Sequence, residues 1–285
     1  AENLTKTYGR KVAVKKLDLD IKKGEIFGIL GPHGAGKTTV IRLIMGYIKP
    51  TSGKIDVFGK IAFDPIPKHR HEIGYVPAMV YLYPNWTAHD HILFVERVYN
   101  LPDSGLKLAA KLNLNTSIVA KRLSTGDHQK LAIILCLISQ PTLLILDEPT
   151  QGLDANAQEE IHELLFEFRD NGGTIFLSSH DLPEVEKLCD RVGVIRKGEL
   201  VEISTIRQLK ERTVHECYAT FHTPIKLADF ESIPGVSVVK HTTHSINLRV
   251  KGDIAPVVHL IAESNPVEFE VNHSSIEDIL MEFYK

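Results

Sequence analysis

The stretch Ile26-Phe27-Gly28-Ile29-Leu30-Gly31-Pro32-His33-Gly34-Ala35-Gly36-Lys37-Thr38-Thr39 decides the fold, because an apolar run leads into the spacing Gly-x-x-x-x-Gly-Lys-Thr at Gly31, Gly36, Lys37 and Thr38. That spacing predicts a phosphate-binding loop. Gly34 and Gly36 let successive backbone N–H groups turn inward around phosphate oxygens, Lys37 sets a point charge against the β- and γ-phosphates, and Thr38 offers its hydroxyl to Mg²⁺. The candidate nucleotide-binding residues of the loop are Gly31, His33, Gly34, Ala35, Gly36, Lys37, Thr38 and Thr39. From Lys37 to Tyr47 the apolar residues Val40, Ile41, Leu43 and Ile44 recur at helical spacing, predicting a helix whose N-terminus points at the anion.

Far downstream, Thr142-Leu143-Leu144-Ile145-Leu146 is a continuous apolar run that ends in Asp147-Glu148. Such a run suits a strand buried on both faces of a parallel sheet. Open α/β sheets place ligands at the carboxyl ends of their strands, so the two acids would meet the nucleotide held by Lys37 and Thr38. Asp147 is the expected Mg²⁺ partner, through water. Glu148 is the expected catalytic residue, accepting a proton from the attacking water or orienting it.

Just upstream lies Leu123-Ser124-Thr125-Gly126-Asp127, and with it the chain resembles the ATP-binding cassette (ABC) family of transporter ATPases. The segment reads as a helix start, with free N–H groups facing an anion. In the family that anion is the γ-phosphate held by a second subunit, which gives Ser124 and Gly126 a nucleotide-binding role across a head-to-tail homodimer or a paired cassette. Gly152-Leu153-Asp154 resembles the loop crossing that interface. Ser178-Ser179-His180 resembles the segment of the switch histidine, making His180 a catalytic candidate. Tyr8, set before the first strand pair, corresponds to the aromatic that stacks on adenine, although a tyrosine in a β-rich segment also serves as an ordinary packing residue.

The resemblance spans residues 2 to about 212. It implies an ATP hydrolase with ATP and Mg²⁺ as ligands, integral membrane permease subunits as partners, and a place on the cytoplasmic face of the membrane. Three positions depart from the pattern: His33 where Asn is usual, Ala78 where Gln is usual, and Asp127 where Gln is usual. An alanine reaches neither Mg²⁺ nor water, so Ala78 implies slowed or differently coupled hydrolysis. Asp127 would repel a triphosphate by up to about 3 kcal/mol at close range. The reading preferred for it is a helix-capping role, pointing away from phosphate and contributing about 0.3–1 kcal/mol.

Composition fits these expectations. The chain has 285 residues with 33 basic and 36 acidic side chains and a net charge of −3, which argues against a broad nucleic-acid footprint. No run approaches the roughly 18 apolar residues of a membrane span, and Ala1 to Arg10 does not read as a leader peptide. Cys136, Cys189 and Cys217 read as reduced, partly buried thiols. His69-x-His71 and His89-x-His91 would chelate a metal only on extended backbone, and solvated surface histidines are the preferred reading.

The fold expected is α/β: a phosphate-loop ATPase core in residues 1–212, with an N-terminal antiparallel β subdomain and a helical subdomain over about 78–139. A small α+β domain follows over 213–285. The N-terminal strands turn at Gly9-Arg10, and a hairpin turn is expected at Lys197-Gly198. The second domain reads β-α-β-β-α-β, a split βαβ arrangement, with a last helix from Ser275 to Tyr284. Val80 to Trp86, rich in aromatics, either lines a groove for a membrane subunit or packs within the helical subdomain. Two rival functions remain: a regulatory nucleotide-binding module with weak hydrolysis, and a soluble non-transport cassette. The expected function is to energise substrate export through ATP-driven dimerisation.

Overall fold

Ile26–Leu30, Leu143–Asp147 and Thr174–Ser179 are strands in which every residue is buried, as parallel strands covered by helices on both faces must be. They belong to the computed structural model of this chain, which describes residues 1–61, 72–101, 104–210 and 214–273. In chain order the elements of the first part are β1 (Glu2–Tyr8), β2 (Lys11–Leu17), β3 (Ile26–Leu30), α1 (Lys37–Ile44), β4 (Ser52–Lys54), β5 (Asp56–Val57), β6 (Lys60–Ile61) and β7 (Ile73–Val76). Then follow α2 (Ala88–Tyr99), α3 (Ser104–Lys111), α4 (Thr125–Ile138), β8 (Leu143–Asp147), α5 (Ala155–Asp170), β9 (Thr174–Ser179), α6 (Leu182–Leu188), β10 (Arg191–Arg196) and β11 (Glu199–Thr205).

The central sheet has the order β11-β10-β3-β9-β8-β7. Its pairs from β10 to β7 are parallel, so the carboxyl ends of β3, β8 and β9 open on the same edge. A second sheet, β2-β1-β4, is antiparallel. Leu4, Val14 and Leu17 from it share one buried cluster with Phe27, Ile29, Val40, Ile41, Ile145 and Phe176, so the core lies directly beneath the phosphate loop. The chain turns back at Lys197-Gly198, where both residues have positive φ (47° and 83°), as a tight hairpin requires.

Three local expectations need correction. The first helix ends at Ile44, short of Tyr47, because Gly46 enters the left-handed region (φ 69°). Tyr8 is the last residue of β1, paired with Lys11 across the Gly9-Arg10 turn; it does not precede the strand pair. The helical region begins at Ala88 and not at Ala78, where Thr87 and Asp90 form a reciprocal capping box that fixes the N-terminus of α2.

The histidines also differ from the surface reading. His91 is buried, its Nε2 accepting from the Tyr83 N–H at 3.0 Å. His162 is buried on α5, and burial lowers its pKa. His89 and His91 share a helix, where a spacing of two points their rings to different faces. His69 and His71 lie outside the described residues.

Contacts divide the chain into two compact units, Ala1–Ile203 and Ser204–Lys285. The second contains α7 (Ile206–Lys210), β12 (Val214–Phe221), α8 (Leu227–Glu231), β13 (Val236–His241), β14 (Ser245–Lys251), α9 (Ala255–Glu263) and β15 (Pro266–His273). Its antiparallel sheet has the order β13-β14-β12-β15, which is the split βαβ topology. Alternate residues Cys217, Ala219 and Phe221 of β12 and Ile246, Leu248 and Val250 of β14 meet Phe230, Val257 and Ile261 of the helices in a separate core. The expected helix from Ser275 to Tyr284 lies outside the described residues.

Candidate functional site

The loop between β3 and α1 owes its path to glycine. Gly36, the N-cap of α1, has φ 116°, and a Cβ there would lie 2.6 Å from the Ala13 carbonyl oxygen. The first intrahelical bond runs from the Val40 N–H to the Gly36 carbonyl, so the turn before it leaves N–H groups for an anion. Gly34 (φ 78°) faces open space where a side chain would intrude on such a ligand. Lys37 is 5% exposed. Its ammonium donates to the carbonyls of Gly31 (2.5 Å) and Pro32 (3.3 Å) and pairs with Glu148 Oε1 at 3.1 Å.

At the end of β8, Asp147 is 2% exposed and accepts hydrogen bonds from Ser178 Oγ at 2.5 Å and Thr38 Oγ1 at 3.4 Å. The β8–β9 register sets Asp147 opposite Ser178, which explains the first of these bonds. The burial of the neighbouring Tyr75, with the charge of Asp147 adding to it, pushes the Tyr75 phenol up to about 12. Glu148 turns into the left-handed region at φ 52°, a conformation that costs a non-glycine residue of order 1 kcal/mol. Ser178 holds it there: the Glu148 N–H donates to both the carbonyl and the hydroxyl of Ser178, each at 3.1 Å. The turn directs the Glu148 carboxylate back toward Lys37 and His180.

His180 follows β9. Its Nδ1 lies 2.8 Å from Glu148 Oε2, so both Glu148 oxygens are engaged. The His33 ring lies against that of His180, with centroids 4.6 Å apart. Lys37, Thr38, Asp147, Glu148, His180 and His33 are therefore linked in one constellation at the carboxyl edge of the sheet. Thr38 and Asp147 bring two hard oxygen groups together, the kind of donors that would suit Mg²⁺, a cation that takes one or two protein groups alongside water and phosphate.

The other candidates lie around this centre. Ser124 caps α4: its Oγ accepts from the Asp127 N–H at 3.0 Å and donates to Asp127 Oδ2 at 2.9 Å. Asp127 thus bonds within its own helical turn, as the capping reading expects. A Cβ on Gly126 would come within 3.3 Å of Ala157 on α5, and Asp154 caps that helix through the Ala157 N–H at 2.9 Å. Tyr8 is 45% exposed, with the Lys6 ammonium 5.1 Å from its ring centroid. Ala78 is exposed two residues beyond β7. Trp86 packs on Tyr83, His91 and Phe94, whereas Tyr81 is 84% exposed. The aromatic segment is thus partly internal and partly free. Ser178, a partner of both acids, enters the sequence reading only as a neighbour of His180, because only the strand register reveals its contacts.

The sequence profile of the ABC transporter family matches residues 14–151. Over its whole length the chain is similar to the linearmycin resistance ATP-binding protein LnrL of Bacillus subtilis (strain 168), with 33% identity covering 99% of this chain and 96% of that protein. The chain belongs to the ABC transporter family of ATP-binding proteins. The bacitracin transport ATP-binding protein BcrA of Bacillus licheniformis is 39% identical over 74% of this chain and 70% of its own length. Among solved structures, a dimeric ATP-binding cassette in a post-hydrolysis state with ADP and Pi superposes at a TM-score of 0.64, with 28% identity over 72% of this chain and 97% of that one. This ABC protein is accordingly an ATP hydrolase coupled to transport, built on the phosphate-loop core described above. Among the described residues, no helix is long and apolar enough to cross a membrane.

Proposed function

We propose that this ABC ATPase binds Mg-ATP in the constellation around Lys37, hydrolyses it with Glu148 supported by His180, and powers export through membrane subunits by closing head to tail with a second cassette. The observation that carries this reading is the double engagement of Glu148, by Lys37 at 3.1 Å and His180 at 2.8 Å. A γ-phosphate in the loop competes with Glu148 for the Lys37 ammonium. Once Lys37 turns to phosphate, Oε1 is free to take a proton from the attacking water while His180 fixes Oε2. Mg²⁺ on Thr38 and Asp147 would neutralise charge on the β- and γ-phosphates. Tyr8 offers a face for adenine, and Gly31, Ala35, Gly36 and Thr39 supply backbone to the phosphates.

Export is proposed because LnrL and BcrA are named for antibiotic resistance and transport. Met79 (66% exposed), Tyr81 (84%) and Tyr83 (60%) form an apolar surface suited to a cytoplasmic helix of a permease. This would place the ATPase at the cytoplasmic face of the membrane.

The test of assembly is Ser124→Arg. Because Ser124 is exposed and caps α4, the substitution adds bulk where a partner's phosphate would sit and also removes a cap that contributes about 1 kcal/mol. Ser124→Ala removes the cap alone. ATP-driven dimerisation, read by light scattering, is expected to fail in Ser124→Arg and persist in Ser124→Ala, with Mg-ATP binding intact in both. Parental dimerisation of Ser124→Arg would show that the signature does not act across an interface.

Ala78 supports a second reading, a cassette of weak basal hydrolysis. Ala78→Gln supplies an amide able to reach Mg²⁺ and water, and is expected to raise single-turnover hydrolysis roughly threefold to tenfold with little change in ATP affinity. A rate at or below the parent would show that no contact is missing at this position.

A further inference from the structure

We infer that Glu184 is a positioning residue for hydrolysis: its carboxylate ties the segment bearing His180 to the segment bearing Glu148. The inference rests on the catalytic reading of that pair. The β8–β9 ladder ends at Asp147 and Ser178, so Thr150 and His180 lie beyond the strand pairing that joins their segments. Glu184, on α6, bridges them. Ser179 Oγ, one residue before His180, donates to Glu184 Oε2 at 2.5 Å, and Thr150 Oγ1, two residues after Glu148, donates to Oε1. Ser179 Oγ also accepts from the Asp181 N–H at 2.9 Å, so the turn presenting His180 is fixed from both sides.

All three partners lie inside the protein: Glu184 is 7% exposed, Thr150 5% and Ser179 fully buried. Burial pushes the Glu184 pKa up, and the like charges of Asp181 and Glu148 add to this, while the two hydroxyls oppose it. Glu184 makes no ion pair among the described residues. A buried acid with like charges nearby and no cation is a poor choice for stability alone. Its geometry instead serves alignment, since small displacements of catalytic groups cost rate steeply.

The stability and rate consequences therefore point in opposite directions. Glu184→Gln keeps the shape but can no longer accept both hydroxyl protons. We expect its thermal midpoint to equal or exceed that of the parent, kcat to fall about tenfold or more, and the KM for ATP to stay within about twofold. In a His180→Ala background the same substitution is expected to cost clearly less single-turnover rate than in the parent, because one of the two residues it positions is gone. Thr150→Val, which removes one donor, should lower kcat in the same direction. It also carries the test if Glu184→Gln does not fold.

An unchanged kcat in both variants overturns the inference. So does an equal loss with and without His180, or a rise in KM at constant kcat. Glu148→Gln, measured alongside, separates the two levels: parental hydrolysis in that protein refutes the catalytic reading itself. Its loss together with silent Glu184 and Thr150 variants refutes only the positioning role.

Discussion

Glu148→Gln is expected to lower ATP turnover by about 10²–10⁴-fold while leaving Mg-ATP binding intact. The amide fills the same volume and still presents an oxygen, but it cannot take a proton from water. Only the transition state loses an interaction, so kcat falls without a matching rise in KM. Binding should tighten slightly, because Lys37 no longer has a carboxylate 3.1 Å away competing with phosphate. Lys37 itself remains held by the Gly31 and Pro32 carbonyls, so the loop keeps its shape. The ATP-bound dimer should then accumulate, visible by light scattering with Mg-ATP. Hydrolysis at the parental rate in the purified variant would remove Glu148 from the catalytic role.

Sequence and structure agree where the governing physics is local. The strand-loop-helix at Ile26–Ile44 is legible because a both-faces-buried strand must be apolar and the loop must carry glycine where φ is positive. The cap at Ser124 and Asp127 is legible because its two partners are only three positions apart. The split βαβ order of the second unit follows from alternation and turn spacing alone.

What escaped the sequence depends on register between distant segments. Ser178 meets Asp147 across 31 positions, and Glu184 meets Thr150 across 34, which no local pattern encodes. The contact of His33 with His180 is of the same kind. It gives the loop histidine, a departure from the family's usual Asn, a specific neighbour in His180. His91 misled for a related reason: a histidine in a polar stretch reads as solvated, yet the loop carrying Tyr83 folds back over the first turn of α2 and supplies its hydrogen bond.

Lys37→Ala should produce two separable losses, because the ammonium pairs with Glu148 in this structure and, on the proposed reading, turns to phosphate when Mg-ATP binds. Mg-ATP affinity, measured by calorimetry, is expected to fall about 100-fold or more, since a charge-assisted contact present in the ground state is removed. The fold should weaken as well. Lys37 and Glu148 have side chains only 6% and 9% exposed, so deleting the cation leaves a buried carboxylate with His180 as its remaining partner. Breaking a buried pair from one side costs about 3–5 kcal/mol, and the retained His180 contact places this case near the lower end. Lys37→Ala combined with Glu148→Gln removes the unpaired charge. The double variant is therefore expected to recover much of the thermal midpoint lost by Lys37→Ala while binding Mg-ATP as weakly as that variant. Recovery of binding along with stability would show that Lys37→Ala acts only by unfolding the loop, and unchanged affinity in Lys37→Ala itself would take Lys37 out of phosphate recognition.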